Sequence, residues 1–519
     1  PRNAVLEAAA EADIRTIIVR QERTGLHMAD ALSRLTRGRR MGVFAMQHGP
    51  GAENAYGGVA QAYSESVPVL VLPQGYARRL AHVPDNFNST IVMGHVSKHA
   101  EPINLAAETV NVLRRAFTQL RNGRLRPVVV ELPWDVLTEE IEAPDYEPVV
   151  RTRSAPDPEA VREAAKVLVA AQRSVIYAGQ GVHWAEAYAE LTELAELLAI
   201  PVCSSLEGKS AFDETHPLAL GSGGAAIPAT VRHFLDRSDV ILGIGCSFAA
   251  TAFGVAMPVG KTVIHATLDP ADLNRNVVAS HALIGDAKLS LRMLVDACRA
   301  LVKGPRDRAP VAAEIAAVEA DWMQTWLPLL TSEETPLSPY RVLWDLQHTV
   351  DVANTIITHD AGSPRDQLSP FWKTTAPLSY IGWGKTTQLG YGLGLAMGAK
   401  VACPDRLCIN VWGDAAIGFT GMDFETAVRE RLPILSILLN NSSMAIELDI
   451  MPAATAKFRA TDISGDYAAF ARALGGYGER VTTPDQIVPA IRRALDQIEQ
   501  GTPALLEFIT AKEQRASRL

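Results

Sequence analysis

The chain has 519 residues, 48% of them apolar, and a formal net charge of −9. That length suits about three domains with sizeable cores. The mild charge and the lack of a long basic run exclude nucleic acid or an anionic membrane surface as the main partner, and no apolar run approaches the ~18 residues of a membrane span.

The sequence opens at Pro1 and is helical by pattern from Ala4 to Ala12, with no signal peptide in view. Residues 14–20 read as a strand, followed at once by Glu22 and a helix from Thr24 to Thr36 with Leu26, Ala29, Leu32 and Leu35 on one face. A strand from Met41 to Met46 ends in His48-Gly49-Pro50-Gly51-Ala52-Glu53-Asn54, a tight turn whose glycines let backbone approach a ligand. Ser66 to Leu72 is a third strand ending near Gln74. A polar stretch from Arg78 to Lys98 follows, then a helix from Leu105 to Leu120 and a strand from Pro127 to Leu132. Residues 134–158 are rich in proline and acid and read as a linker.

A second α/β block has strands at 174–178, 201–204, 239–244 and 262–268. Residues 304–310 form another break. In the third block, a strand at 355–358 precedes a Gly-rich helix entrance from Gly382 to Gly398. Apolar runs Leu407 to Trp412 and Ile434 to Leu439 read as buried parallel strands joined by a helix. A helix from Pro484 to Ile498 and a strand from Ala504 to Ile509 end the fold. The fold class is therefore α/β, with three consecutive doubly wound parallel-sheet domains, expected over residues 1–145, 155–305 and 335–519. The five scattered cysteines form no C-x-x-C pair and read as reduced core residues of a cytoplasmic protein, and the twelve histidines include no H-E-x-x-H.

Asp414 and Asn441 both fall just past the carboxyl ends of their strands, where open parallel sheets bind ligands. A carboxylate and an amide oxygen there, with the backbone carbonyl of Ser443, suit Mg2+. That ion keeps few protein ligands and bridges to phosphate, so a diphosphate ligand is expected.

Gly413-Asp414-Ala415 followed by Asn440-Asn441 resembles the G-D-G…N-N cofactor signature of thiamine-diphosphate-dependent enzymes. Over essentially the whole chain the sequence resembles their acetolactate synthase and pyruvate oxidase branch. Arg20-Gln21-Glu22 resembles the family's His-Glu strand end, Gly49 to Asn54 its G-P-G-x-x-N turn, Ser64 to Pro68 its D-S-V-P strand start, and Gly390 to Leu393 the Gly-rich segment before the signature. The resemblance implies that the three blocks are pyrimidine-binding, central and diphosphate-binding domains. It implies thiamine diphosphate and Mg2+ as cofactors, with Glu22 as the carboxylate on the aminopyrimidine. Gly49, Asn54, Gln388, Leu389, Gly413, Asp414, Ala415, Ala416, Asn441, Ser443 and Met444 are the expected cofactor-binding residues, and Asp414, Asn441 and Ser443 the metal ligands. It further implies an obligate homodimer, extended to a homotetramer, because the two facing blocks come from different subunits. FAD or another nucleotide is possible in the central domain of relatives, and none is expected to be required here.

The expected activity is C–C bond cleavage or formation on a 2-oxo acid or related small carbonyl substrate, in the manner of acetolactate synthase. Decarboxylases, 2-hydroxyacyl-CoA or oxalyl-CoA lyases and dione hydrolases are alternatives within the family, and a non-catalytic regulatory paralogue is the alternative outside enzymes. Glu447 and His48 are the candidate substrate-side acid/base groups, with Gln74, Asn88, Trp383 and Lys385 weaker pocket candidates. Three departures stand out. Ala415 replaces a glycine, which would be strained at a positive φ. Gln21 replaces a histidine. Family members begin with a strand-helix unit, which the resemblance would place ahead of Pro1.

Overall fold

The computed structural model describes residues 4–142 and 145–519. Pro1, where the expected first domain opens, and Ala143 and Pro144 of the expected linker lie outside the described residues. Among the described residues, three sheets account for the strands, and every pairing in them is parallel. The first orders β1 (Gly42–Met46), β2 (Val69–Gly75), β3 (His99–Pro102) and β4 (Val128–Pro133) as β1-β2-β4-β3. The second holds β5 (Ser174–Ala178), β6 (Val202–Ser205), β7 (Ala219–Gly223), β8 (Val240–Ile244), β9 (Thr262–Thr267) and β10 (His281–Ile284) in the order β10-β9-β8-β5-β6-β7. The third comprises β11 (Thr355–His359), β12 (Tyr380–Ile381), β13 (Leu407–Gly413), β14 (Leu435–Asn440), β15 (Tyr477–Val481) and β16 (Ala504–Ile509), ordered β12-β11-β13-β14-β16-β15. The central strands of each sheet are near-continuous apolar runs, as burial on both faces demands.

Residues 14–20, expected to be a strand, pair with no sheet among the described residues. A strand exists only through its ladder, and this segment is held by side chains instead: Arg15 Nη2 donates to Glu430 Oε2 at 3.2 Å, and Arg429 donates to the carbonyl of Ile18. Ile14 and Ile18 stay exposed.

By packing, the chain forms two compact units. One comprises Pro1–Thr152 with Gly390–Asp405 and Thr420–Leu432. Here the helix Glu22–Leu35 lies against the helix Tyr391–Ala402 at a distance only glycine allows: a Cβ on Gly394 would stand 2.8 Å from the carbonyl of Thr24, and one on Gly398 2.3 Å from that of Met28. The buried pair Asp30–Arg34, 2.6 Å apart, is joined by the Tyr391 hydroxyl, which donates to Asp30.

The other unit comprises Arg153–Leu389, Arg406–Phe419 and Pro433–Leu519. Its second sheet buries Leu168, Leu191, Leu242 and Leu294, and its third Ile409, Leu435, Ile437 and Leu506. Gly179-Gln180-Gly181 is explained by packing, since a Cβ on Gly179 would meet the carbonyl of Gly245 at 2.4 Å. Within this unit Lys209, 2% exposed, donates to both oxygens of Glu214 at 2.7 Å, and Glu214 also accepts from Thr374 N at 2.8 Å. Cys203, Cys246, Cys298 and Cys408 are buried and Cys403 half-buried, all unbonded to one another. Burial pushes the Cys203 and Cys298 thiols up to about 12. No described helix is long and apolar enough to cross a membrane.

Candidate functional site

The third sheet pairs Gly413 with Leu439, so β13 and β14 end side by side. Asp414 opens the helix Asp414–Thr420 directly after β13. It is 4% exposed. Its Oδ1 accepts from Ala415 N at 2.9 Å and its Oδ2 from Ser443 N at 3.1 Å, while Tyr467 donates its hydroxyl to the Asp414 carbonyl at 3.2 Å. Burial pushes the Asp414 carboxyl above its ordinary range, and the surrounding backbone N–H groups counter this in part.

After β14 the chain turns at Ser442, which holds φ 55. Asn441 Oδ1 accepts from Ser443 N at 3.0 Å, closing an Asx turn. Ser443 forms an isolated bridge with Asp462, whose hydrogen bonds run through the Ser442 carbonyl and Met444 N. The Ser443 hydroxyl is buried and has no hydrogen-bond partner among the described residues. One desolvated carboxylate and one amide oxygen, with the backbone carbonyl of Ser443 as the expected third donor, make an all-oxygen set with a single charge, and the unsatisfied Ser443 hydroxyl lies in the same residue. These residues fit Mg2+, an ion that takes few protein oxygens and would leave room for others in its shell, and the desolvated carboxylate beside an unsatisfied hydroxyl is a setting that a cation would stabilise.

Around this pair, Gly413 and Ala415 are half-buried and Ala416 buried. Ala415 is the second residue of the helix and is absent from the residues with positive φ, so the anticipated strain does not arise. Met444 is half-buried. Glu447 closes the short 3-10 turn Ala445–Glu447 and is also half-buried. Gln388 and Leu389, half-buried, precede the helix Tyr391–Ala402. Trp383 is fully buried and stacks on His359 with ring centroids 4.8 Å apart, which marks it as core, while Lys385 is half-buried.

In the other unit, Glu22 is the first residue of the helix Glu22–Leu35, where the helix dipole favours a carboxylate. The structure brings it to the Gly-Pro-Gly turn: its Oε1 lies 3.5 Å from where a Cβ on Gly51 would stand. Gly49 holds φ 61, and a Cβ there would be 2.9 Å from the Tyr76 hydroxyl, so the turn demands glycine twice over. His48 packs edge-on to Tyr76, centroids 4.7 Å apart, with Nδ1 3.4 Å from Gln74 Oε1. Asn54 is exposed on the helix Pro50–Ser64. Asn88 is spent locally, capping the helix Ser89–Gly94 by accepting from Ile91 N.

Two residues near these sites escaped the sequence reading. Tyr467 reaches Asp414 from 53 residues downstream, and no local pattern signals it. Asp423, fully buried, accepts from the backbone N–H of Arg20 at 2.7 Å and of Gln21 at 3.2 Å, fixing the two residues before Glu22. Asp423 lies at the start of the helix expected between the two apolar runs, where an aspartate is ordinary.

Comparison with known proteins gives three family matches: "Thiamine pyrophosphate enzyme, N-terminal TPP binding domain" over residues 2–100, the central domain over 161–294, and the "C-terminal TPP binding domain" over 360–508. The chain is similar to the probable acetolactate synthase large subunit of Methanocaldococcus jannaschii, 30% identical over 97% of this chain and 86% of that protein. It is likewise similar to the probable acetolactate synthase large subunit of Methanococcus aeolicus, 28% identical with the same coverage. The acetolactate synthase isozyme 3 large subunit of Escherichia coli is 29% identical over 93% of this chain and 86% of its own length.

Proposed function

Since the chain belongs to the thiamine pyrophosphate enzyme family, on its acetolactate synthase branch, we propose that it joins two small carbonyl compounds, the donor being a 2-oxo acid that loses CO2. It is a thiamine-diphosphate-dependent carboligase of the acetolactate-synthase type. The observation that carries the site assignment is the Asp414–Ser443–Asn441 cluster at adjacent strand ends, inside the segment matched to the C-terminal TPP binding domain.

When bound, thiamine diphosphate supplies a nucleophilic carbon for attack on a carbonyl and an electron sink for the decarboxylation that follows. Asp414, Asn441 and Ser443 would hold Mg2+, and Gly413, Ala415, Ala416 and Met444 would bind the diphosphate beside it. Gln388 and Leu389 would bind the cofactor on its ring side. Glu22 would hold and return a proton at N1′ of the aminopyrimidine, and the turn Gly49 to Asn54 would bind that ring. His48 and Glu447 are the proposed groups that move protons on the substrate side. The first block is thus the pyrimidine-binding domain, the third the diphosphate-binding domain. We propose a homodimer in which Glu22 of one copy serves the Asp414 site of the other, by C2 symmetry giving two equivalent sites, with a homotetramer as the larger assembly and the cytoplasm as its place.

Melting curves with and without thiamine diphosphate plus Mg2+ test the cofactor assignment: ligand at 100 times its dissociation constant stabilises by about 2.7 kcal/mol, and an absent shift in cofactor-free protein overturns it. NMR of products from pyruvate and a panel of 2-oxo acids tests the reaction. Acetolactate or a homologous 2-hydroxy-3-oxo acid is expected; acetaldehyde alone would make the enzyme a decarboxylase.

A further inference from the structure

Glu507 lies in the middle of β16, fully buried between Leu506 and Phe508. A charge in that place is costly unless every lone pair is answered, and here they are. Asn440 Nδ2 donates to Oε1 at 2.7 Å and Ala468 N to Oε2 at 3.0 Å. Arg480 donates to Oε2 through Nε at 3.0 Å and to Oε1 through Nη2 at 3.2 Å.

A carboxylate only accepts. Asn440 must therefore turn its amide nitrogen toward Glu507, which aims its oxygen at the turn that follows β14. That oxygen accepts from Ser442 N at 3.0 Å. The reverse orientation would set the amide nitrogen against the Ser442 N–H, donor against donor. Ser442 is the residue at φ 55, a conformation that a side chain with a Cβ adopts only when its surroundings enforce it. On either side of it stand Asn441 and Ser443, and Ser443 N reaches Asn441 Oδ1 at 3.0 Å and Asp414 Oδ2 at 3.1 Å.

We propose that Glu507 is a positioning residue for the cation site: by fixing which way the Asn440 amide faces, it holds the left-handed turn at Ser442 and presents Asn441 and Ser443 beside Asp414. This inference rests on the reading of Asp414, Asn441 and Ser443 as the Mg2+ site. Glu507 touches neither metal nor cofactor, and its effect passes through Asn440.

The test is a titration of Mg2+ into metal-stripped full-length protein at fixed, saturating thiamine diphosphate, followed by melting temperature and by calorimetry. Wild-type protein comes first. If it shows no Mg2+-dependent binding, the site reading fails and this inference with it. If it binds, Glu507→Gln should raise the half-saturating Mg2+ concentration by about 10-fold or more, the usual effect of losing a group that orients a metal ligand. Asn440→Ala should do the same, and carries the test alone if Glu507→Gln does not fold. Arg480→Met separates positioning from bulk stability: it removes a partner of Glu507 without touching Asn440, so it should lower the melting temperature yet leave the Mg2+ half-saturation near the wild-type value. Unchanged half-saturation in Glu507→Gln and Asn440→Ala, or an equal rise in Arg480→Met, would overturn the proposal while leaving the Mg2+ site itself in place.

Discussion

Ser443 donates its backbone N–H to Asp414 Oδ2 at 3.1 Å, linking residues that stand 29 positions apart at the ends of neighbouring strands. The bond sets the distance between the carboxylate and the turn carrying Asn441. Replacing Asp414 with alanine removes the only carboxylate of the proposed donor set. The melting shift produced by thiamine diphosphate and Mg2+, about 2.7 kcal/mol at 100 times the dissociation constant, should vanish, and calorimetry should detect no Mg2+-dependent binding.

Glu22→Gln keeps the shape of the helix start and discards the proton acceptor. Turnover should fall by about 100-fold or more, while the cofactor-induced melting shift persists. A variant that kept its turnover would remove Glu22 from the chemistry and would favour a binding subunit over an enzyme.

Ala415 stands where the family signature has glycine, yet it lies in an ordinary helical backbone. Ala415→Gly should therefore not relieve strain. It should lower stability by up to about 1 kcal/mol, the usual cost of glycine in a helix, as measured by urea unfolding of the cofactor-free protein.

The Tyr467 phenol is pushed up to about 12 by burial first and by the charge of Asp414 second. Its ordinary value is about 10. Between those values the folded chain keeps a proton that the unfolded chain has released, so stability falls as pH rises through the window and is unaffected below it. Tyr467→Phe should flatten that alkaline decline. Near neutral pH the lost hydrogen bond to the Asp414 carbonyl should cost about 1 kcal/mol. Thermal melts across the alkaline range read both effects.

Lys209 and Glu214 form a buried pair whose carboxylate also receives Thr374 N. Lys209→Met leaves Glu214 short of its cation, and breaking such a pair costs about 3 kcal/mol or more. Adding Glu214→Gln should recover part of the loss, because the orphaned charge is removed. Denaturant unfolding of the two variants checks the order.

What could be read from the sequence follows what physical signal each part carries. The strands buried on both faces, such as β13 and β14, are long apolar runs and were placed within a residue or two. Of the edge strands, β1 was placed equally well, but the others were not. His99–Pro102 and Tyr477–Val481 carry polar residues, Ala219–Gly223 is glycine-rich, and Tyr380–Ile381 is two residues long, so none resembles a strand until a neighbour pairs with it. The reverse holds for residues 14–20, whose apolar pattern reads as a strand that the first sheet does not take in. At the candidate site, Asp414 and Asn441 were legible because their position follows from strand ends alone. Asp423, Tyr467 and Glu507 were not, since each acts on residues far away in sequence and each sits in a locally unremarkable setting.

The path of the chain has a consequence for heredity. It crosses between its two compact units after Thr152, Leu389, Asp405, Phe419 and Leu432. A gene fragment that encodes the third sheet also encodes the helix Tyr391–Ala402, whose Gly394 and Gly398 have room only against the helix Glu22–Leu35. Neither end of the protein is therefore a free cassette. Recombination that exchanged one terminal block without the other would bare a glycine face with nothing shaped to meet it, so these two blocks must drift together, while the central sheet, folded from one uninterrupted stretch, can vary more independently.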